Sequence, residues 1–385
     1  MGGAARRPWI HERHGRVSIV RTWGTRLPKR RLALRMTNLA SYYGLAAIAA
    51  FRQSRPDIVI AETDPPLLGA LGAMLKRHWG CKLIYNVRDL YPDIALATGG
   101  VRNRMLLRLL DRSNRIAYRW ADRVVVLGHD MEDRVIGKGV PAECVAVVPD
   151  WVDCDQIRPL SDNPLRAAFG DKFVVMYSGN LGLSQQLEMV LAAAARLRDD
   201  PRIRFVLIGE GARKAWLIER ARALDLPNVT FMTYRPRPEL AQSLSAADLH
   251  LIPLSAGTAG CLVPSKVYGI LAAGRPFVAI MEESAEVARI ARDNSVGFVG
   301  KPGDDAALAR IIGEAVRNPV ALEAMGRRAR QLARARYDRK IATARFAEML
   351  EAVARERGAP AVHAAAETPR VLAPVNLTDG EASSL

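Results

Sequence analysis

A chain of 385 residues, 49% hydrophobic and 25% charged, is too long for one ordinary core and too apolar for a disordered polymer, so two domains are expected. The net charge of +16 is uneven: residues 1–150 hold 25 Lys/Arg against 13 Asp/Glu, a field that suits nucleic acid or an anionic membrane surface. Cys81, Cys144, Cys154 and Cys261 form no CxxC, the six histidines form no metal set, no apolar run nears the ~18 residues of a membrane span, and no apolar stretch follows Arg6 and Arg7 as in a signal peptide. A reduced cytoplasmic setting, soluble or peripheral, without metal, is the expectation.

The start, "MGGAARRPWIHERHGRVSIVRTWG", is unusual. A Rossmann-like domain opens strand, Gly turn, helix; here Gly2-Gly3 reads as the stub of that turn with the first strand absent, which would leave a neighbouring strand edge open. β-rich runs at 56–62, 81–87, 122–128 and 144–150 then alternate with helical patterns at 31–52, 66–78 and 102–121. In the last of these, Arg104, Arg108, Arg112, Arg115, Arg119 and Arg123 fall within roughly a 100° arc of one helix face. That stripe is either the solvated face of a packed helix or a surface laid on phosphates.

The alternation restarts after a junction at 150–164. Strand-like runs at 172–180, 203–211, 228–234, 249–254, 276–280 and 297–304 interleave with helices at 184–198, 212–224, 238–247, after Lys266, and at 284–294. The fold class is therefore α/β, two Rossmann-like domains facing across a cleft. The first domain spans 1–160 and the second 161–335. A C-terminal helix at 336–356 is expected to pack back on the first, and 357–385 lacks periodicity and reads as a disordered tail.

Ligands of such folds gather at the C-terminal ends of strands. Three elements there stand out in the second domain. "YSGNLG" (177–182) and "LIGEG" (207–211) let backbone approach a phosphate. "VPSKVYGILAAGRP" carries Lys266, a point charge suited to phosphate but unfavourable beside a helix start. Glu286 opens another helix, as an ordinary first-turn acid or as an acceptor for ribose or sugar hydroxyls. In the first domain "AETDPP" and "NVRDLYPD" gather Glu62, Asp64, Arg88, Asp89 and Asp93 at neighbouring strand ends. Trp151 in "PDWVD" is either core or cleft lining.

Taken in order, "PDIVIAETDPP", "VRDLYPD", "VPDWVD", "SGNLGLSQQLEMVL", "FVLIGEG", "NVTFMTY", "AADLHLIPL" and "VPSKVYGILAAGRP" resemble the retaining GT-B glycosyltransferases of family four, closest to the bacterial branch that builds O-antigen, colanic-acid and capsular repeat units. The resemblance implies a hexosyl- or N-acetylhexosaminyl-transferase. It would take a UDP- or GDP-sugar on the second domain and a polyprenyl-diphosphate-linked acceptor on the first, at the inner face of the cell membrane. No cofactor, metal or nucleic acid is implied. Retention in the family involves no established protein nucleophile, so catalysis reduces to positioning and stabilising the departing diphosphate.

The residues this implies are Lys266 and Asp89 for catalysis. The donor would be held by Gly179, Asn180, Gly182, Gly209, Glu210, Gly211, Tyr234, Ser265, Lys266, Ser284 and Glu286. Asp64, Arg88 and Asp93 would face the acceptor, and the arginine stripe the anionic membrane. The chain departs from many relatives in reading Asn180 and Gln185 where they hold Arg and Lys, Cys261 and Gly269 where they hold paired glutamates, and Arg88-Asp89 where they hold His-Asp or His-Glu. Lys266 is then the clearest cation left in the second domain for a diphosphate. The alternatives are a truncated, inactive GT-B binding or scaffold protein, and a sugar-nucleotide epimerase on the same fold.

Overall fold

The computed structural model describes residues 8–28, 32–99, 101, 103–182 and 185–356. The Gly2-Gly3 turn and the 357–385 tail lie outside them. The described chain opens on a feature that periodicity did not show, an antiparallel hairpin of β1 (Trp9–His14) and β2 (Val17–Thr22). None of its strand residues is buried and most are exposed, so no apolar alternation marks it.

Next come α1 (Leu32–Phe51), β3 (Ile58–Glu62), α2 (Leu68–Trp79), β4 (Lys82–Asn86), α3 (Asp93–Ala97), α4 (Arg104–Trp120), β5 (Arg123–Val126), α5 (His129–Gly137) and β6 (Val145–Val147). Strands β3-β4-β5-β6 form a parallel sheet in that order. Leu83, Ile84 and Tyr85 of β4 are buried, as expected where both faces of a strand are covered. Among the described residues β3 is an edge strand, with Ile60 43% exposed. Helix α5 was not read from the sequence; "HDMEDRVIG" is short and rich in acids.

The arginine stripe is shortened. α4 stops at Trp120, and Arg123 starts β5, where its guanidinium pairs with Glu356 at 2.6 Å and also donates to the Glu143 carbonyl. Arg115 pairs with Asp111 one turn away. Arg104, Arg108, Arg112 and Arg119 are exposed, and none has a carboxylate partner among the described residues. Met105, Leu109 and Ile116, also exposed, lie along one edge of the stripe. Of the apolar residues expected on other faces, Leu110 and Ala117 are buried, whereas Leu109 and Ile116 share the solvent side.

The second half holds α6 (Pro164–Ala167), β7 (Phe173–Ser178), α7 (Leu187–Arg196), β8 (Ile203–Ile208), α8 (Lys214–Ala223), β9 (Val229–Met232), α9 (Leu240–Ser245), β10 (Leu249–Pro253), α10 (Lys266–Ala272), β11 (Phe277–Ile280), α11 (Glu286–Asp293) and β12 (Gly297–Gly300). Helices α12 (Asp305–Arg317), α13 (Pro319–Leu332) and α14 (Arg339–Arg355) follow, the last two joined by a π turn at Ala333–Tyr337. The sheet is parallel, in the order β9-β8-β7-β10-β11-β12. Helices cover both faces, so Val174, Val175, Met176 and Tyr177 of β7 are all buried. Strand order reverses between β7 and β10, the place where α/β sheets open a crevice for ligands.

The two sheets are joined at several points. Leu90 N–H donates to the Cys261 carbonyl at 2.7 Å, next to a bridge between Asp89 and Leu262. Val152, in the junction, donates to Tyr337 O and accepts from Arg339 N, both at 2.9 Å. Lys340 at the start of α14 pairs with Asp155, and Glu356 just beyond its end pairs with Arg123.

Candidate functional site

The carboxyl ends of β7 and β10 open into a cleft of about 840 Å³ between the two sheets. Ser178 ends β7 with Gly179 and Asn180 after it, and Pro253 ends β10 with Leu254 after it; all five line the cleft. Asp89 and Trp151 line it from the side of the first sheet, Gln156 from the junction and Arg339 from the start of α14. The segment from Leu262 to Gly269 completes the far wall.

Lys266 is the first residue of α10, as the sequence predicts. Its side chain does not extend into solvent. Nζ stands over the Tyr177 ring, 4.1 Å from the centroid, and lies 2.8 Å from the point a Cβ on Gly179 would occupy. Among the described residues it has no carboxylate partner, and burial pushes its ammonium down to about 7. The aromatic face offsets part of that cost. The nearby His250 does not compete: burial lowers it to about 4, its Nε2 lies 2.8 Å from the Leu244 carbonyl, and the ring is neutral at pH 7. A lysine set in the cleft wall with no carboxylate beside it among the described residues leaves its charge open to an anion.

The two glycine turns of the second domain are one device. Leu181 N–H donates to Glu210 O and Arg213 N–H to Leu181 O, so the loop after β8 supports the loop after β7 from behind. The Tyr177 hydroxyl donates to the Asn180 carbonyl at 2.7 Å and ties the front loop down. Gly209 is required by contact: a Cβ there would stand 1.9 Å from the Gly179 carbonyl oxygen. Gly209→Ala must therefore displace the Gly179–Asn180 backbone, and a UDP titration should show at least about tenfold weaker binding. Wild-type affinity in this variant would mean the loop does not touch the ligand.

The residues predicted for the donor divide accordingly. Gly179, Asn180, Ser265 and Lys266 line the cleft. Gly182, Gly209, Glu210 and Gly211 lie behind the front loop or beside it, with Glu210 paired to Lys214 at 2.6 Å. Tyr234 and Ser284 are exposed and do not line the cleft. Lys266 is also not the sole cation of the second domain there, since Arg237, between β9 and α9, lines the cleft too. Arg237 was missed because "RPRPE" reads as a turn.

Glu286 is elsewhere. Its Oε2 accepts from His129 N at the start of α5, at 2.9 Å, and Asp130 Oδ2 accepts from Glu286 N at 2.9 Å and from Gly260 N at 3.0 Å. Two helices from different domains thus cap each other's N-termini through their first acids. Burial pushes both carboxyls up, against the backbone donors that lower them. The ribose role expected of Glu286 gives way to a clamp between domains, and Asp130, a residue no motif pointed to, is its other half.

Of the charged first-domain residues predicted for the site, Asp89 lines the cleft and Asp64, Arg88 and Asp93 do not. Thr63 Oγ1 accepts from the backbone N–H groups of Arg88 and Asp89, which fixes this turn, and burial, reinforced by the charge of Asp64, pushes the Asp89 carboxyl up. Arg88 turns away to pair with Asp150 at 2.5 Å. Asp93 pairs with Lys138 at 2.9 Å and Arg134 at 3.6 Å, and so serves packing rather than the cleft. Asp64 is exposed, beside Asp89, and does not line the cleft. Cys261 is fully buried, while Gly269 lines the cleft.

Two Rossmann-like sheets with a ligand cleft at the switch point of the second define a GT-B glycosyltransferase fold. Solved structures agree. Anabaena Alr3699/HepE in complex with UDP-glucose superposes with a TM-score of 0.66 at 18% identity, over 84% of this chain and 84% of that one. Sucrose-phosphate synthase from Thermosynechococcus elongatus gives 0.74 at 16% identity, over 90% and 86%. The glycosyl transferases group 1 model matches residues 164–332, and the glycosyl transferase 4-like domain model matches residues 2–151. "Probable glycosyltransferase WbjE" of Pseudomonas aeruginosa is 30% identical over 77% of this chain and 74% of its own length. WcaI of Escherichia coli, named as a candidate colanic acid biosynthesis glycosyl transferase, is 29% identical over 73% and 72%. The chain belongs to the glycosyltransferases, with the group 1 model matched by its second domain.

Proposed function

We propose that this chain transfers a hexosyl or N-acetylhexosaminyl group, with retention, from a UDP- or GDP-sugar to a polyprenyl-diphosphate-linked acceptor in bacterial surface polysaccharide synthesis. The observation that carries the reading is the uncompensated Lys266 ammonium at the switch-point cleft. It would meet the donor diphosphate as negative charge develops on it, aided by Arg237, and the Gly179–Asn180 backbone would lie against the same group. Asp89, across the cleft, would orient the acceptor hydroxyl for attack on the face that the diphosphate leaves. Retention then needs no protein nucleophile, and no step in this scheme uses a metal. The UDP-glucose seen in the Anabaena structure and the colanic acid pathway in the name of WcaI support the donor and pathway parts of the reading.

The test is a screen of UDP- and GDP-sugars against polyprenyl-diphosphate-linked sugars, with the anomeric configuration of the product read by NMR. A retained anomer from one donor class is expected. Inversion sinks the mechanism, and turnover that needs no acceptor points to an epimerase.

The same reading places the protein at the inner face of the membrane, through α4. Four arginines with no carboxylate partner among the described residues, flanked along one edge by exposed Met105, Leu109 and Ile116, suit anionic headgroups over an acyl boundary better than they suit nucleic acid. At roughly 1 kcal/mol per arginine, Arg104, Arg108, Arg112 and Arg119 together would supply about 4 kcal/mol. Flotation with anionic liposomes should show binding that 0.5 M salt reverses, and replacing the four with glutamine should abolish it. No binding at low salt removes the membrane from the reading.

A further inference from the structure

Trp151 has no use in the scheme above, yet it is the aromatic side chain best placed to have one. It is 48% exposed and lines the same cleft as Lys266 and Asp89. Leaving an indole half in water forgoes roughly 1–2 kcal/mol of burial, which a folding role alone does not explain. Its mount is rigid. On one side Asp150 is paired to Arg88, and on the other Val152 is bonded in both directions to Tyr337 and Arg339. The backbone that carries the ring is held on both sides, so only the side-chain rotamer has to be ordered when a ligand stacks on it.

Trp151 leaves the last strand of the first sheet, the wall that carries Asp89, whereas Ser178–Asn180 and Lys266 are on the other wall. Gln156 from the junction and Arg339 at the start of α14 put an amide and a guanidinium along the same cleft. A flat apolar face with polar groups around it matches a pyranose ring, whose C–H groups lie against an aromatic face while its hydroxyls meet the rim.

We propose that Trp151 is the stacking platform for the sugar ring of the acceptor and, as a positioning residue, holds its hydroxyl toward the donor. The inference rests on the glycosyltransferase reading and adds which side chain grips the acceptor sugar. Steady-state transfer is measured for the wild type, Trp151→Ala, Trp151→Leu and Trp151→Phe, using undecaprenyl-diphosphate-linked N-acetylglucosamine, galactose and glucose, with UDP affinity titrated in parallel.

Trp151→Ala and Trp151→Leu should raise the acceptor KM tenfold or more, change kcat less than threefold and leave UDP affinity unchanged. Trp151→Phe should recover most of the loss, and if the alanine variant fails to fold, the leucine and phenylalanine pair decides. An acceptor KM within twofold of wild type in the leucine variant overturns the inference. So does a parallel fall in UDP affinity, which would put the nucleobase on the indole. Wild-type protein that transfers to none of these acceptors while binding UDP fails the broader reading, and the inference falls with it.

Discussion

Lys266→Ala is expected to cut sugar transfer by about 100-fold or more, the usual size of losing one preorganised charge that meets developing negative charge in a water-poor site. Most of that loss should fall on kcat, since the diphosphate gains charge in the transition state. A change below threefold would remove Lys266 from the mechanism. The variant should also fold at least as well as wild type, because it deletes a buried ammonium that has no carboxylate partner among the described residues.

The same lysine sets a pH dependence whose sign follows from its environment. Burial lowers the empty-site ammonium to about 7, and a bound diphosphate would raise it again. Above pH 7 the empty site is increasingly neutral, so binding UDP must take up a proton. Affinity should then fall by up to about tenfold per pH unit from pH 7 to 9, and level off below pH 7. Titrations in Lys266→Ala should be flat over this range; an identical slope in the variant would assign the proton to another group.

Asp130→Ala should be the most damaging single change outside the cleft. Asp130 sits in the first domain and holds the backbone N–H groups of Gly260 and Glu286 in the second. Alanine would orphan both, at about 1–3 kcal/mol each, for a total of roughly 2–4 kcal/mol after partial rehydration. Urea unfolding should show that loss, with Asp130→Asn recovering part of it because one acceptor oxygen remains. Stability unchanged in Asp130→Ala would mean that water replaces the carboxylate freely and that the clamp is weak.

The clamp also shows why Glu286 misled. An acid at a helix start after a strand end fits a ribose ligand and a cap equally well on the residues alone. Only the approach of α5 decides between them, and His129 and Glu286 are 157 residues apart in the chain. Arg88 and Asp93 follow the same logic, since their partners Asp150 and Lys138 come from other turns. Arg123 failed for a local reason: α4 ends three residues before it, at Trp120, because Ala121 takes an extended backbone with ψ 138°.

Sequence by itself determined the strands, whose buried β-branched runs can be satisfied in few ways, and most of the helices between them. It also determined the switch-point glycines and Lys266, because residue types with so few structural uses are conspicuous at strand ends. The hairpin at Trp9–Thr22 and helix α5 were not legible, since neither carries an apolar period. Tertiary structure decided which charges are free. Ion pairs and caps form between segments far apart in sequence, and each one formed removes a candidate from the cleft. Lys266, Asp89 and Trp151 remain there because, among the described residues, the fold brings no carboxylate to the first, keeps the second on the cleft wall and leaves the third half exposed.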